Sequence, residues 1–403
     1  MIKKQWHCNK CFKVGGFDFS DEFNQVCSVC NTTLDLVYEG VFSWSELDDN
    51  KQGVLRYSNL IPVTQESLEV VCTDEQPEFT KPIESKKLAS ILGVKSVHLV
   101  SPVFGPSGTF KDIEAAVVIA KCLDWKITKR LSWHSTGNTA RAYREYSIRA
   151  NFDSDSYFPL VCIDKFKGVK KSISNLLIGY DGPFQNISAI AKKRAAAHDT
   201  LHLAPLNWKV EGKALLSYNI FENLPNSSVI VQTIAGGYGV LGLQLGINRL
   251  KQLKVIEETL VPRYELFQIE EADVISRLMP LNRDVQETDL KLPVNPFEPT
   301  LQSTNPLSTF NILRKIVVET DSNVSSVSVQ EVEDAHKIFE EECNDLGIPI
   351  SYADEKSPFI SWAGLIQPKS KQRLNPDDTV VIIVTGARKR AGDIPTADVI
   401  LKD

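Results

Sequence analysis

The sequence predicts an α/β protein with a small, separate N-terminal module, on three grounds. Beyond residue 40, short β-branched runs alternate with helical patterns, the mark of parallel strands joined by crossover helices. Two of these runs, 229–234 and 380–384, are apolar nearly throughout, as strands covered on both faces are. The first forty residues differ in composition and contain a cluster of cysteines.

Length and charge bound the rest. At 403 residues there is chain enough for two or three domains and a well-buried core. The 42% hydrophobic and 24% charged content is that of an ordinary globular protein. A net charge of −6 argues against broad nucleic-acid binding, which needs a positive face to displace phosphate counterions. No apolar stretch reaches the length of a bilayer span. The opening MIKKQWHCNKC turns polar before a signal-peptide core can form. A cytoplasmic protein is expected, with neither a membrane nor a nucleic-acid partner.

In the N-terminal module, Cys8-x-x-Cys11 and Cys27-x-x-Cys30 match the spacing of a four-thiolate zinc site. Each pair forms a tight turn aiming two sulfurs at one point, and zinc supplies folding energy that forty residues cannot draw from their own core. Two disulfides or a redox dithiol are the competing readings; a cytoplasmic location opposes the first and the duplicated pair opposes the second. Four protein ligands leave the metal no open position, so its role is structural. Lys3, Lys4, Lys10 and Lys13 lend slight support to nucleic-acid binding, but attachment to a large acidic body favours a docking or capping module. Cys72, Cys122, Cys162 and Cys343 lie in apolar segments and read as reduced core residues.

In the body, strands are expected at 98–103, 130–133, 160–163, 229–234 and 380–384. Helices are expected at 113–122, 139–150, 240–250 and 329–346. The last carries Val332, Ala335, Phe339, Cys343 and Leu346 on one face, which core packing explains. Segments 64–82 and 280–306 look irregular.

Three loops hold the chemistry. Ser107-Gly108-Thr109-Phe110-Lys111-Asp112 precedes a helix, and Phe110 beside Lys111 favours the neutral, nucleophilic amine. Ser135-Thr136-Gly137-Asn138-Thr139 joins a strand to a helix, where hydroxyls and amide groups suit a carboxylate or phosphate. Gly236-Gly237-Tyr238-Gly239 follows a buried strand and lets amides close around a phosphate. Gly237, Gly239 and Gly242 also satisfy G-x-G-x-x-G, with Glu257 and Glu258 near the place of a ribose-binding acid. This loop alone leaves a dinucleotide and a monophosphate equally open.

Together, and in this order, SGTFKD, STGNT and the glycine loop resemble the fold-type II (tryptophan synthase β-like) family of pyridoxal-phosphate (PLP) enzymes. The nearest likeness is to threonine synthases, with cysteate synthases next, and the cysteine-pair N-terminus looks like the ribbon of some threonine synthases. The resemblance implies two parallel or mixed-sheet α/β domains with PLP between them, plus the ribbon. It places the ribbon at 1–40, the larger domain at 41–120 with 216–403, and the smaller at 121–215. Lys111 would carry the cofactor covalently and move the proton at Cα. Asn138 would bond the ring hydroxyl; Gly236, Gly237, Tyr238 and Gly239 would enclose the cofactor phosphate; Thr385 would face the pyridine nitrogen. Ser135, Thr136 and Thr139 would hold the substrate carboxylate, with Ser107, Thr109 and Arg141 among the substrate-binding residues. Arg141, Arg144 and the tract Arg388-Lys389-Arg390 are candidates for a substrate phosphate.

The activity implied is elimination and replacement on an activated amino acid, with O-phosphohomoserine plus water giving threonine plus phosphate as the first choice. β-Replacement on O-phosphoserine or another activated serine is the alternative, and a non-catalytic homologue a third reading. The partner is a small amino acid, and a homodimer is one assembly open to the chain. Some positions depart from threonine synthases. Ile113-Glu114-Ala115 follows Asp112 where those enzymes tend to have Arg-Gly. That segment, like Asn138-Thr139-Ala140-Arg141-Ala142-Tyr143, looks more like cysteate synthase. Asp354-Glu355-Lys356-Ser357-Pro358 stands where the family shows Glu-Pro and small residues. His134, just before STGNT, is expected to be a hydrogen-bonded strand-end histidine.

Overall fold

Three short strands open the chain in the computed structural model, which describes residues 2–402 except 20–25, 74, 183, 204–206, 282, 284, 290–296, 302–305, 388 and 390. Strand β1 (Lys3–His7) pairs antiparallel with β2 (Val14–Gly16) and with β3 (Asp35–Glu39). Both cysteine pairs sit in matching turns. The Phe12 amide donates to the Cys8 carbonyl at 2.8 Å and the Asn31 amide to the Cys27 carbonyl at 2.9 Å. Phe12 (φ 59°) and Asn31 (φ 54°) each take the left-handed conformation that reverses the chain. The four sulfurs lie within 4.8 Å of one another.

The ribbon is docked on the body. Tyr38 is buried beneath the Arg249 guanidinium, 4.4 Å from its ring centroid, and its amide donates to Gln252 Oε1 at 3.3 Å. Lys4 Nζ donates to the Ile61 carbonyl at 2.6 Å, and the buried Lys121 donates to the Phe19 carbonyl. Burial, with Arg249 nearby, pulls the Lys4 ammonium down to about 7. Lys4 is thus spent in an intramolecular interface.

The body's strands are β4 (Ile83–Glu84), β5 (Ser96–Val100), β6 (Leu131–His134), β7 (Ser154–Pro159), β8 (Asn175–Asp181), β9 (Leu201–His202), β10 (Val229–Thr233), β11 (Arg263–Ile269), β12 (Asn323–Val327), β13 (Thr379–Ile383) and β14 (Val399–Lys402). They form two sheets. The first runs β12-β11-β10-β13-β5-β4, parallel except for β4; the second runs β14-β8-β7-β6-β9 and is wholly parallel. The β10 run VIVQT is buried at every residue, as helices on both faces require. The crossover helices that matter to the site are α1 (Lys111–Asp124), α2 (Asn138–Arg149), α3 (Phe184–Ala197), α4 (Asn207–Asn223) and α5 (Tyr238–Gln252). The last strand, β14, returns to the second sheet beside β8, where the Leu177 amide donates to Asp398 Oδ2 at 2.9 Å. No helix among the described residues is long and apolar enough to cross a membrane.

One expected strand is corrected. Residues 160–163 form the start of a 3-10 helix, Leu160–Phe166, and the strand is the preceding β7. Pro159 ends that strand, and Val161 is 80% exposed, so the apolar run never enters the sheet. Two polar side chains of the strand SDSYFP find partners: Ser154 Oγ donates to Asn175 Oδ1 at 2.6 Å, and Asp155 pairs with Arg130 at 2.8 Å.

Candidate active site

All strands that approach the site end there. A cavity of about 230 Å³ lies beyond the carboxyl ends of β6, β10 and β13 and beside the start of α1. That is where loops of parallel sheets place ligands.

Lys111 is the first residue of α1, and the loop before it is pinned from two sides. The Ser107 amide donates to both oxygens of buried Asp112 at 3.1 Å, and Ser107 Oγ meets Thr109 Oγ1 at 2.9 Å. From the segment after β13, the Thr385 carbonyl accepts the Phe110 amide at 3.2 Å, while the Ala387 amide donates to the Gly108 carbonyl at 2.9 Å. Lys111 Nζ lies 4.7 Å from the Phe110 ring centroid and 3.5 Å from Glu114 Oε2, with a quarter of its side chain (25%) exposed. Glu114 is fully buried and also ion-paired with Lys213. Burial alone would raise its carboxyl; Lys111, Lys213 and Lys209 hold it down at about 2 instead. Burial pulls Lys213 down to about 7 against the opposing pull of Glu114, and it lowers Lys209 as well.

After β6, Ser135 Oγ accepts the amides of Gly137 at 3.0 Å and Ala140 at 2.9 Å, which caps α2. Gly137 has φ +132°, and a Cβ there would meet Lys165 Cβ at 2.7 Å. Asn138 donates through Nδ2 to Glu355 Oε2 at 3.1 Å. Glu355 belongs to a buried cluster in which Lys165 Nζ lies 2.7 Å from Glu298 and 3.4 Å from Glu355. Burial would raise the Glu355 carboxyl, but Lys165 and the Asn138 amide hold it below the usual range. The Thr300 hydroxyl lies 2.9 Å from Glu298 Oε1 and 3.2 Å from Glu355 Oε1.

After β10, Gly237 adopts φ +82°, and a Cβ there would press on Leu313 at 3.0 Å. A Cβ on Gly239 would collide with the Gln232 side chain. These glycines open α5, whose first amides have no partner inside the helix. Gln232 Oε1, buried beside them, accepts no hydrogen bond from the described residues. Thr385 Oγ1 lies 2.9 Å from Ser357 Oγ at the cavity wall.

Lys111, Ser135, Thr136, Asn138, Thr139, Gly236, Gly237, Tyr238, Gly239 and Thr385 all line this cavity. Ser107, Thr109 and Arg141 do not. The first two bond each other within the loop, and Arg141 is buried with Nη1 donating to the Lys165 carbonyl at 3.2 Å. Arg144 is likewise spent on the carbonyls of Asn175 and Lys170. Lys389 pairs with Asp164 at 2.9 Å, and Arg388 and Arg390 fall outside the described residues. Glu257 and Glu258 lie exposed in the turn before β11, at the amino end of a parallel strand and so across the sheet from the glycine loop. A dinucleotide needs its acid at the other end of that strand.

Sequence reasoning missed Glu355, Lys165 and Glu298, whose contacts join distant segments. It also missed Lys209 and assigned Glu114 no role. Lys209 and Lys213 lie one turn apart on a mostly buried helix, the first half-buried and the second fully buried, and a buried cation needs a reason.

Two sheets with this strand order, and the cavity at their carboxyl ends, define the fold-type II fold of PLP enzymes. No known family model matches the chain. It is similar to a threonine synthase from Methanosarcina acetivorans, 23% identical over 388 residues covering 94% of this chain and 90% of that protein. Threonine synthase from Escherichia coli superposes with a TM-score of 0.64 at 13% identity, over 95% of this chain and 88% of that one. A pyridoxal 5′-phosphate-dependent aspartate racemase superposes with a TM-score of 0.60 at 14% identity, over 77% and 91%.

Proposed function

We propose that this chain is a PLP-dependent enzyme of elimination and replacement acting on an O-phosphorylated amino acid, with conversion of O-phosphohomoserine and water to threonine and phosphate as the first choice. The observation that carries it is the meeting of Lys111, Asn138, the 236–239 glycine turn and Thr385 in one cavity. The similarity to a threonine synthase along 94% of the chain supports the choice of reaction.

The residues fit the cofactor. The 236–239 turn lines the cavity and needs glycine, because Cβ atoms at Gly237 and Gly239 would strike Leu313 and Gln232. Bound there, PLP supplies the electron sink that lets bonds at an amino acid's Cα break. Lys111 would hold it covalently through Nζ, and the same amine is the group placed to move the Cα proton. Glu114, 3.5 Å away, steadies that amine. The amides that open α5 hold the phosphate. Asn138 addresses the ring hydroxyl, its amide oriented by Glu355. Ser135 Oγ already accepts two amides, so its hydrogen is left to donate to the substrate carboxylate, beside Thr136 and Thr139. Thr385 offers the pyridine nitrogen a neutral hydroxyl.

In the ribbon, the same proposal places a structural zinc on Cys8, Cys11, Cys27 and Cys30. Zinc–sulfur bonds of about 2.3 Å set tetrahedral sulfurs about 3.8 Å apart. Separations of 3.3 Å for Cys8–Cys30 and 3.6 Å for Cys11–Cys27 approach that value. A cytoplasmic setting belongs to this reading.

The test is the visible spectrum of purified protein before and after borohydride, with mapping of the reduced adduct and a substrate panel. The expected result is a coloured protein with its adduct on Lys111, phosphate release from O-phosphohomoserine, and loss of about a thousandfold or more in Lys111→Ala. Turnover of O-phosphoserine with sulfite in its place moves the assignment to the β-replacement alternative, and an adduct elsewhere overturns the catalytic account.

A further inference from the structure

Lys209 is the cation of this site without a counterpart. Lys111 and Lys213 share Glu114, whereas Lys209 lines the cavity with no ion pair or hydrogen bond among the described residues. Its Nζ sits 5.6 Å from the Tyr143 ring centroid on α2. Glu114 and Lys111 act on it from α1. It acts in turn on Lys213 along α4, on His134 in β6 and on His202 in β9, where Lys192 of α3 adds a second positive charge. Against Lys111, Lys209 and Lys213, the only carboxylate among these groups is Glu114. This corner therefore lacks an anion.

His134 supplies a second donor, and the chain behind it fixes its tautomer. Ser132 is wholly buried, and among the described residues its hydroxyl meets His202 Nδ1 alone, at 2.9 Å. A buried hydroxyl that only accepted there would strand its own hydrogen, so Ser132 donates. His202 then carries its proton on Nε2 and donates to His134 Nδ1, 3.1 Å away, with the two rings parallel to within 3°. His134 is left with its proton on Nε2, opposite that bond, on a residue that lines the cavity. Burial and the neighbouring cations hold His134 at about 3 and His202 at about 4, so both stay neutral and the relay keeps its direction.

We propose that Lys209 and the Nε2–H of His134 form the subsite for the anionic end of the substrate side chain, a phosphoryl group in the first instance. The inference rests on the PLP reading above and adds the residues that select the substrate. It also replaces Arg141 and Arg144, whose guanidiniums are committed to backbone carbonyls.

The experiment measures binding of L-2-amino-5-phosphonopentanoate, its carboxylate counterpart L-2-aminoadipate, and uncharged L-norvaline to the cofactor-loaded protein, read from the change in visible absorbance. A charge-assisted contact predicts that the phosphonate outbinds norvaline by about tenfold or more. Lys209→Gln removes most of that preference and leaves norvaline unmoved; Lys209→Arg restores much of it. His134→Gln loses a smaller part, and Ser132→Ala, which touches no ligand, loses part by freeing the tautomer. Nitrogen-15 spectra of histidine-labelled protein place the His134 proton on Nε2. A preference for aminoadipate that Lys209→Gln abolishes supports the subsite and changes the anion to a carboxylate. A coloured protein whose preference is the same in Lys209→Gln, or a His134 proton found on Nδ1, overturns the subsite alone. A protein that takes up no cofactor overturns the PLP reading and the subsite with it.

Discussion

The four sulfurs of the ribbon come from one stretch, residues 8–30, while the cavity draws its walls from segments between Phe110 and Thr385. The difference lies in where each region finds its order. The ribbon's own core is little more than Trp6, Leu36 and Tyr38, so its geometry is left to two turns and whatever the thiolates bind. The cavity is held by buried charges that no single loop owns. Glu114 joins Lys111 on α1 to Lys213 on α4, and Glu355 joins Asn138 and Lys165 near the second sheet to Thr300. A region ordered locally can be lost alone, whereas one ordered by long-range ion pairs is lost with the packing of the body.

Removing the proposed zinc tests that division with the largest expected effect. Zinc contributes roughly 10–16 kcal/mol to folding in small four-ligand modules. Chelation, or Cys27→Ser, is expected to release the metal and expose residues 2–40 to protease, while borohydride still traps the cofactor on Lys111. Metal content, proteolysis and the visible spectrum read this out together. Colour lost in step with the metal would show that the docked ribbon also orders the body, through Lys4 on Ile61 and Lys121 on Phe19.

The same division explains what could be read in the chain. The cysteine spacing is a local pattern and names its cluster outright. The strands 229–234 and 380–384 were readable because full burial leaves an unbroken apolar run, and the three loops because glycines and hydroxyls at strand ends form short motifs. What escaped was non-local. Strand β7 hides behind Ser154 and Asp155, whose polarity is answered by Asn175 and Arg130 from elsewhere. Arg141 and Arg144 look like phosphate ligands until the fold turns them onto carbonyls. Glu355 and Lys165 lie far apart in sequence and become one cluster only when the two sheets close on each other.

That cluster provides the second test. Removing one member of a buried ion group leaves uncompensated charge and costs about 3–5 kcal/mol. Glu355→Ala is expected to lower the melting temperature, to strip Asn138 of its acceptor and to weaken cofactor retention, with ribbon zinc unchanged. Glu355→Gln, which keeps an acceptor oxygen for Asn138 at the same place, should recover part of the loss. Zinc content that fell with Glu355→Ala would break the comparison from the other side.

The smallest effect sharpens it, because Asp112 stores its cost directly beneath Lys111. Burial pushes its carboxyl up to about 7; the Ser107 contacts and Arg141 pull the other way, and Glu78 adds to the rise. A carboxyl raised in the folded state contributes stability at low pH that is lost as pH rises through about 7. Lys4 and Lys213, each pulled down to about 7, act in the opposite sense: their contribution is present at high pH and lost as pH falls through about 7. The two slopes occupy adjoining windows, below and above about pH 7, and the difference between wild type and Asp112→Asn isolates the lower one. Between pH 5 and 7 that difference is expected to shift by roughly 2–3 kcal/mol, wild type losing ground as pH rises. The amide still accepts from Ser107, so the loop before Lys111 keeps one of its two ties. A difference that stays flat across this range would mean that Asp112 is ionised throughout, and that Arg141 rather than a proton balances its charge.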